Sequence, residues 1–408
     1  DDLAQEHQAS RKALKQSVQT DASAACCTVQ AIAPVSEITP AKSSVMTEAV
    51  SAATGSESSP PLLLHLDVNK TVILADSLQS ATIEDGVRES VAELFWGIVS
   101  VEGDEKFWEW SKDEPSCSPP VAAEVQGGTE LLTYSTYCKR TISEKKSRKQ
   151  AVRDLSLVRD PETKQAMEKL TQAALTSVQL PSEIRDSADA VNVGLTGSVL
   201  VMFPALFHMV SKLQRAGRTF AILFRTFGDD YEIVKKEWNA FCEMRHPVFS
   251  SRLQDIGPLD GSIPGVPDRR LAVHTLYRDE AGPVLGLNIH TNGPEGSTWD
   301  SWARQKPKPD KDTREGRAFF AERSASTVDG YPALRQWVSD FCRAQSTAII
   351  KDDWAWWNFN GEKANAGKLM LLAEGMQQVF LDDNVEHGDA HIVDCRNSDG
   401  TAVPQEES

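Results

Sequence analysis

The chain has 408 residues, 40% of them apolar, and a formal net charge of -16. That is long enough for one large α/β domain with inserts or for two domains. Its acidic surface argues against nucleic acid and anionic membrane as partners, and no apolar run approaches the ~20 residues that cross a bilayer.

In chain order, residues 1–60 are rich in Ala, Ser, Thr and Val and read as a disordered tail. The first buried strand is 62-LLLHL-66. The longest apolar run, 199-VLVMFPALFHMV-210, reads as a core helix. A helix ending at 211-SKLQRAGR-218, with Gly217 as its stop, leads into a second strand, 219-TFAILFRTF-227. Further strands are expected at 270-RLAVHTLY-277, 284-VLGLNIH-290 and 377-QQVFLDD-383. Apolar runs of this length without alternation suit a parallel sheet covered on both faces. The basic run 139-KRTISEKKSRK-149 reads as a solvated helix face, with a phosphate-binding patch as the rival reading. The cluster 354-WAWWNF-359 reads as core packing, against stacking on an organic substrate or a partner surface. Residues 396–408 read as a disordered tail. The seven cysteines (Cys26, Cys27, Cys117, Cys138, Cys242, Cys342 and Cys395) are scattered without metal spacing. This suggests buried thiols in a reduced compartment, cytoplasmic or reached by organellar import.

In open α/β sheets, ligands lie beyond the carboxyl ends of the strands. The residues that follow the apolar runs there are Asp67-Val68-Asn69-Lys70-Thr71, Arg225-Thr226 and Asp382-Asp383-Asn384. Any one strand-ending Asp is more often a cap or turn former; three such ends on one rim make a constellation.

In order and strand context, 63-LLHLDVNKT-71, 221-AILFRT-226, a lysine within 361-GEKANAGKLMLL-372 and 379-VFLDDN-384 resemble the four motifs of the haloacid dehalogenase-like (HAD) superfamily. The resemblance implies a three-layer Rossmann-like parallel sheet with large cap-like inserts. It divides residues 61–395 into a core (61–76, 196–245 and 346–395) and inserts at 77–195 and 246–345. It implies that Asp67 is a nucleophile forming an aspartyl-phosphate and that Thr226 donates to a phosphoryl oxygen. A lysine would neutralise charge: Lys368 at the start of a helix ranks first, then Lys363 and Lys351. Mg²⁺ would be held by Asp67, the Asn69 carbonyl, Asp382 and Asp383. The expected activity is Mg²⁺-dependent hydrolysis of a small phosphorylated molecule.

The superfamily's phosphatases carry an acid two residues after the nucleophile, and here that position is Asn69. An amide cannot shuttle a proton at neutral pH, and losing an acid/base costs ~10²–10⁴-fold in turnover. The sequence therefore implies a slow phosphatase, an enzyme whose proton relay lies elsewhere (Asp76, Asp229, Asp230 or His65), or a phosphate- or nucleotide-binding regulator. His65, in mid-strand among leucines, reads better as a satisfied core residue.

Overall fold

The computed structural model describes residues 59–73, 82–103, 105–120, 130–289, 316–385 and 392–404. Most of the expected N-terminal tail, and Asp76, lie outside these residues.

Strand β1 (Leu62–Asp67) is buried along its whole length. After it come α1 (Ile83–Ala92), β2 (Trp96–Glu102), β3 (Glu105–Trp110) and β4 (Leu131–Thr133), then α2 (Tyr134–Thr141), α3 (Lys145–Asp154), α4 (Pro161–Ser177) and α5 (Ala188–Asn192). Strands β2–β4 form a small antiparallel sheet. With α1–α4 it packs around its own core, which includes Val87, Phe95, Trp108, Tyr134, Val152 and Met167. The chain continues through α6 (Pro204–Arg215), β5 (Phe220–Thr226), α7 (Tyr231–Cys242), β6 (Ala272–Asp279), β7 (Gly282–Gly286), α8 (Gly316–Glu322) and β8 (Thr327–Asp329). It ends with α9 (Tyr331–Arg343), β9 (Thr347–Lys351), α10 (Trp354–Phe359), β10 (Lys368–Leu371), β11 (Gln377–Leu381) and β12 (Val393–Arg396).

The central sheet has seven strands in the order β11-β1-β5-β9-β6-β7-β8. The strands from β11 to β6 run parallel; β7 and then β8 pair antiparallel. This mostly parallel α/β sheet is compatible with a Rossmann-like architecture. Residues alternate between its faces. Leu62, Leu64, Leu66, Ile222, Phe224 and Ile349 pack under α6 and α7. Leu63, Ala221, Leu223, Ala348 and Ile350 pack under α9 and β10. Each fully buried Leu or Ile contributes about 1.5–3 kcal/mol, and burial on both faces keeps β1 and β5 inside the sheet rather than at its edge.

Several expectations need correction. Residues 246–345 do not stand apart as a cap, because β6, β7 and β8 extend the central sheet and α9 covers one of its faces. Within 82–195, the described residues up to Val178 form a three-stranded sheet and a core of their own, whereas Leu180, Ala190, Val193 and Leu195 join the core of the central sheet. Within 199–210 the helix starts at Pro204, since proline favours the first helical position; Met202 before it makes a β-bridge to Ile73. Gly217 does follow the end of this helix, at φ 62°. The stretch after Gly367 is strand β10, not a helix: five apolar residues before the Glu374-Gly375 turn suit a strand's length. Residues 396–404, expected within a disordered tail, fold back on the chain. Arg396 bridges to Ala402, and the Val403 amide donates to the Cys395 carbonyl at 3.0 Å. Among the described residues, no helix is long and apolar enough to cross a membrane.

Candidate functional site

Parallel pairing aligns the carboxyl ends of β11, β1, β5 and β9. Asp67 is in register with Arg225, and Thr226 with Lys351. Beyond Asp67 the chain turns at once: the Val72 and Ile73 amides both donate to the Val68 carbonyl at 2.9 Å. Lys70 takes up a left-handed φ of 64°, which is uncommon for a residue with a side chain.

Carboxylate oxygens of Asp67, Asp382 and Asp383 lie within 4.8 Å of one another. Asp67 and Asp382 are buried. Lys368, also buried, donates through Nζ to Asp67 and, at 2.6 Å, to Asp382 Oδ2. The other Asp382 oxygen accepts from the Asn384 amide at 2.9 Å. Burial pushes the Asp67 carboxyl well above the usual carboxylate range; Lys368 opposes this, while Asp382 and Asp383 add to it. Burial disfavours the Lys368 charge as well, yet Asp67, Asp382 and Asp352 hold its pKa above the ordinary lysine value. Three clustered carboxylates, two of them tied by Lys368, are a hard-oxygen donor set suited to a small divalent cation.

Across β1 from the acidic cluster, Asn69 Nδ2 donates to Asp230 Oδ2 at 2.7 Å. Asp230 stands at the start of α7 but makes no side-chain cap bond there, so its carboxylate serves Asn69 instead. Thr226 Oγ1 accepts from the Gly228 amide at 2.8 Å and lies 3.5 Å from Asn69 Oδ1, at the limit of a hydrogen bond. Lys351 pairs with Asp229.

The structure thus brings Asp67, Lys368, Asp382 and Asp383 into one cluster, and Asn69 and Thr226 together beside β1. It assigns the other two lysines elsewhere: Lys351 to Asp229, and Lys363 to the start of a short 3₁₀ turn, where its backbone carbonyl accepts from Ala366. His65 is a satisfied core residue: it lies 3.1 Å from Gln378 Oε1 and stacks on Phe380. Burial and the nearby Arg225 lower its pKa to about 3. The tryptophan-rich α10 is only partly packed. Trp354 is 50% and Phe359 49% exposed, while Trp357 stacks on Phe227 at 5.2 Å. Phe227 in turn lies 5.3 Å beneath Lys368 Nζ.

Sequence reasoning missed Arg225. Buried in β5, it donates through Nε to Asp352 at 2.9 Å and through Nη1 to the Leu369 carbonyl at 2.8 Å. It therefore seats β10, and with it Lys368, against the sheet. An arginine inside an otherwise apolar strand was the available signal, since a buried charge needs a partner. Gly367 completes the seating, because a Cβ there would lie 2.2 Å from the Ile392 carbonyl oxygen.

Compared with protein-family models, with curated proteins and with solved structures, the chain matches none.

Proposed function

We propose that this chain is a Mg²⁺-dependent phosphohydrolase of the HAD-like superfamily, acting on a small phosphoester through an aspartyl-phosphate. The observation that carries this reading is the meeting of Asp67, Lys368, Asp382 and Asp383 at the end of β1. Asp67 would attack phosphorus through its carboxylate oxygen and release the alkoxide. Lys368 would neutralise charge on the nucleophile and the phosphoryl oxygens. Thr226 already accepts from Gly228, so its hydroxyl proton is left for a phosphoryl oxygen in place of the long contact to Asn69. Asp67, Asp382, Asp383 and the Asn69 carbonyl would hold the metal, which when bound adds Lewis-acid neutralisation of the phosphoryl group.

Asn69 cannot give or take the proton, but it holds the Asp230 carboxylate at 2.7 Å. In this reading Asp230 is the acid that protonates the leaving oxygen and the base that then activates water. Residues 82–195 would be the cap that excludes water and selects substrate. The rival reading, a phosphate- or nucleotide-binding regulator with little turnover, is favoured by the same Asn69.

The discriminating experiment measures hydrolysis of p-nitrophenyl phosphate with Mg²⁺ by the wild-type chain and by Asp67→Asn. Hydrolysis lost in the variant supports the enzyme. Anion binding without any turnover supports the regulator.

A further inference from the structure

Helix α10 begins just after β9 ends, and β9 pairs with β5 so that Lys351 is the register partner of Thr226. The helix therefore stands on the same rim as the acidic cluster. Its sequence is Trp354-Ala355-Trp356-Trp357-Asn358-Phe359, and none of these residues is buried. Aromatic surface of this extent calls for a partner.

The aromatic surface runs inward to the site. Trp357 stacks on Phe227 with ring centroids 5.2 Å apart and planes at 17°. Phe227 directly follows Thr226, and its ring lies 5.3 Å from Lys368 Nζ, the ammonium that holds Asp67. The Phe227 ring is thus about one side chain's length from the Asp67 carboxylate, within reach of an organic group carried by a phosphoester bound there. Phe227 and Trp357 are both half-buried, so each keeps surface that a ligand can cover. The Nε1 atoms of Trp356 and Trp357 are enclosed and have no acceptor among the described residues. An unsatisfied buried donor is unfavourable, and a ring bearing a carbonyl or a ring nitrogen offers the missing acceptor. Trp354 and Phe359 are more exposed, but the stack leads away from them to Thr226, which favours a ring carried by the substrate over a partner chain.

We infer that Phe227 and Trp357 form a shelf for the leaving group of the substrate. The substrate class is then a phosphoester whose leaving group carries a planar aromatic ring, aryl or nucleobase. The inference rests on the phosphohydrolase reading for the phosphoester at Asp67, but binding at the shelf does not require turnover.

The test uses the full chain with Mg²⁺ and two pairs of esters, the leaving alcohols within each pair being alike in chemistry. Benzyl phosphate against cyclohexylmethyl phosphate reports an aryl ring; adenosine 5′-monophosphate against ribose 5-phosphate reports a nucleobase. In the wild type, kcat/KM favours the ring-bearing member of at least one pair by about five- to tenfold. Trp357→Leu removes that preference, and Trp357→Phe, which restores a ring, keeps most of it. If the wild type turns over no probe, calorimetric binding of the same pairs takes the place of kcat/KM. A ring preference in binding that depends on Trp357, without turnover, upholds the shelf and sinks the phosphohydrolase. Turnover with no ring preference, or with one that survives Trp357→Leu, overturns the shelf and leaves the phosphohydrolase standing. Self-association that Trp357→Leu abolishes, with no ring preference, gives the aromatic face to a second copy of the chain and overturns the shelf. Absence of binding by any probe overturns it too.

Discussion

Lys368 Nζ reaches both Asp67 and Asp382, the latter at 2.6 Å, so one buried ammonium joins carboxylates from opposite ends of the chain. It comes from the first residue of β10, a strand outside the central sheet. The site is therefore assembled only when β10 docks against β1, β5 and β11.

Replacing Lys368 with Met removes that tie and leaves Asp67 and Asp382 facing each other in a buried space. Turnover is expected to fall by ~10²–10³-fold. The remaining like charges should make a divalent cation stabilise the variant more than it stabilises the wild type. Thermal unfolding with Mg²⁺ and with EDTA checks this: a ligand at 100 times its dissociation constant adds about 2.7 kcal/mol. In Asp382→Asn/Asp383→Asn the Mg²⁺ shift should disappear. A shift that survives in that variant would place the cation elsewhere.

Arg225 and Asp352 form a pair in which each side chain is 1% exposed. Arg225→Met strands the Asp352 carboxylate in the interior and frees the Leu369 carbonyl from its donor. Removing one partner of such a pair costs about 3–5 kcal/mol, which urea denaturation would register. Arg225→Met/Asp352→Leu, an apolar replacement of both, should recover much of that stability without restoring the seat of Lys368. Full activity in the double variant would show that β10 is held by other contacts.

The sequence makes β1, β5 and β11 visible because each is an apolar run of strand length that stops on a polar residue. The ends of those runs, Asp67, Thr226 and Asp382, are correspondingly the site residues that can be read locally. β9 is harder to see, since 347-TAIIK-351 is short and flanked by polar residues, yet it sits in the middle of the sheet. Lys368 is legible as a residue but not as part of a strand, because the five apolar residues after it have no periodicity that separates strand from helix. The assignment of 246–345 to the sheet depends on β6 pairing with β9, a partner about 75 positions later in the chain; no local pattern encodes that choice. The Asn69–Asp230 contact, too, joins residues far apart in number, and the Lys70–Glu89 pair joins separate elements; both exist only once the fold brings them together.

His274 predicts how stability responds to acid. It is buried in β6, where its Nδ1 accepts from the Asn288 amide at 3.0 Å. Burial lowers its pKa from 6.5 to about 4. Between those values the unfolded chain takes up a proton that the folded chain refuses. The stabilisation is thus complete above pH 6.5 and is lost as pH falls toward 4, by an amount on the order of 3 kcal/mol. His274→Asn keeps an acceptor but does not titrate. Its urea midpoint should fall less than that of the wild type between pH 8 and pH 4.5. Equal falls would remove His274 from the account.

Asn69 and Asp230 share a 2.7 Å hydrogen bond in which the amide donates and the carboxylate accepts. Asn69→Asp alone sets two carboxylates against each other across that gap, so one of them must hold a proton or swing away. Exchanging the two residues, Asn69→Asp/Asp230→Asn, keeps the bond and moves the acid to the position two residues after Asp67. If proton transfer limits turnover and Asp230 serves as an imperfect relay, the exchanged chain should hydrolyse p-nitrophenyl phosphate faster, by about 10–10²-fold. Asp230→Asn alone should be slower than wild type by a similar factor. If Asp230→Asn matches the wild type at every pH, Asp230 moves no proton in the rate-limiting step, and the relay lies elsewhere.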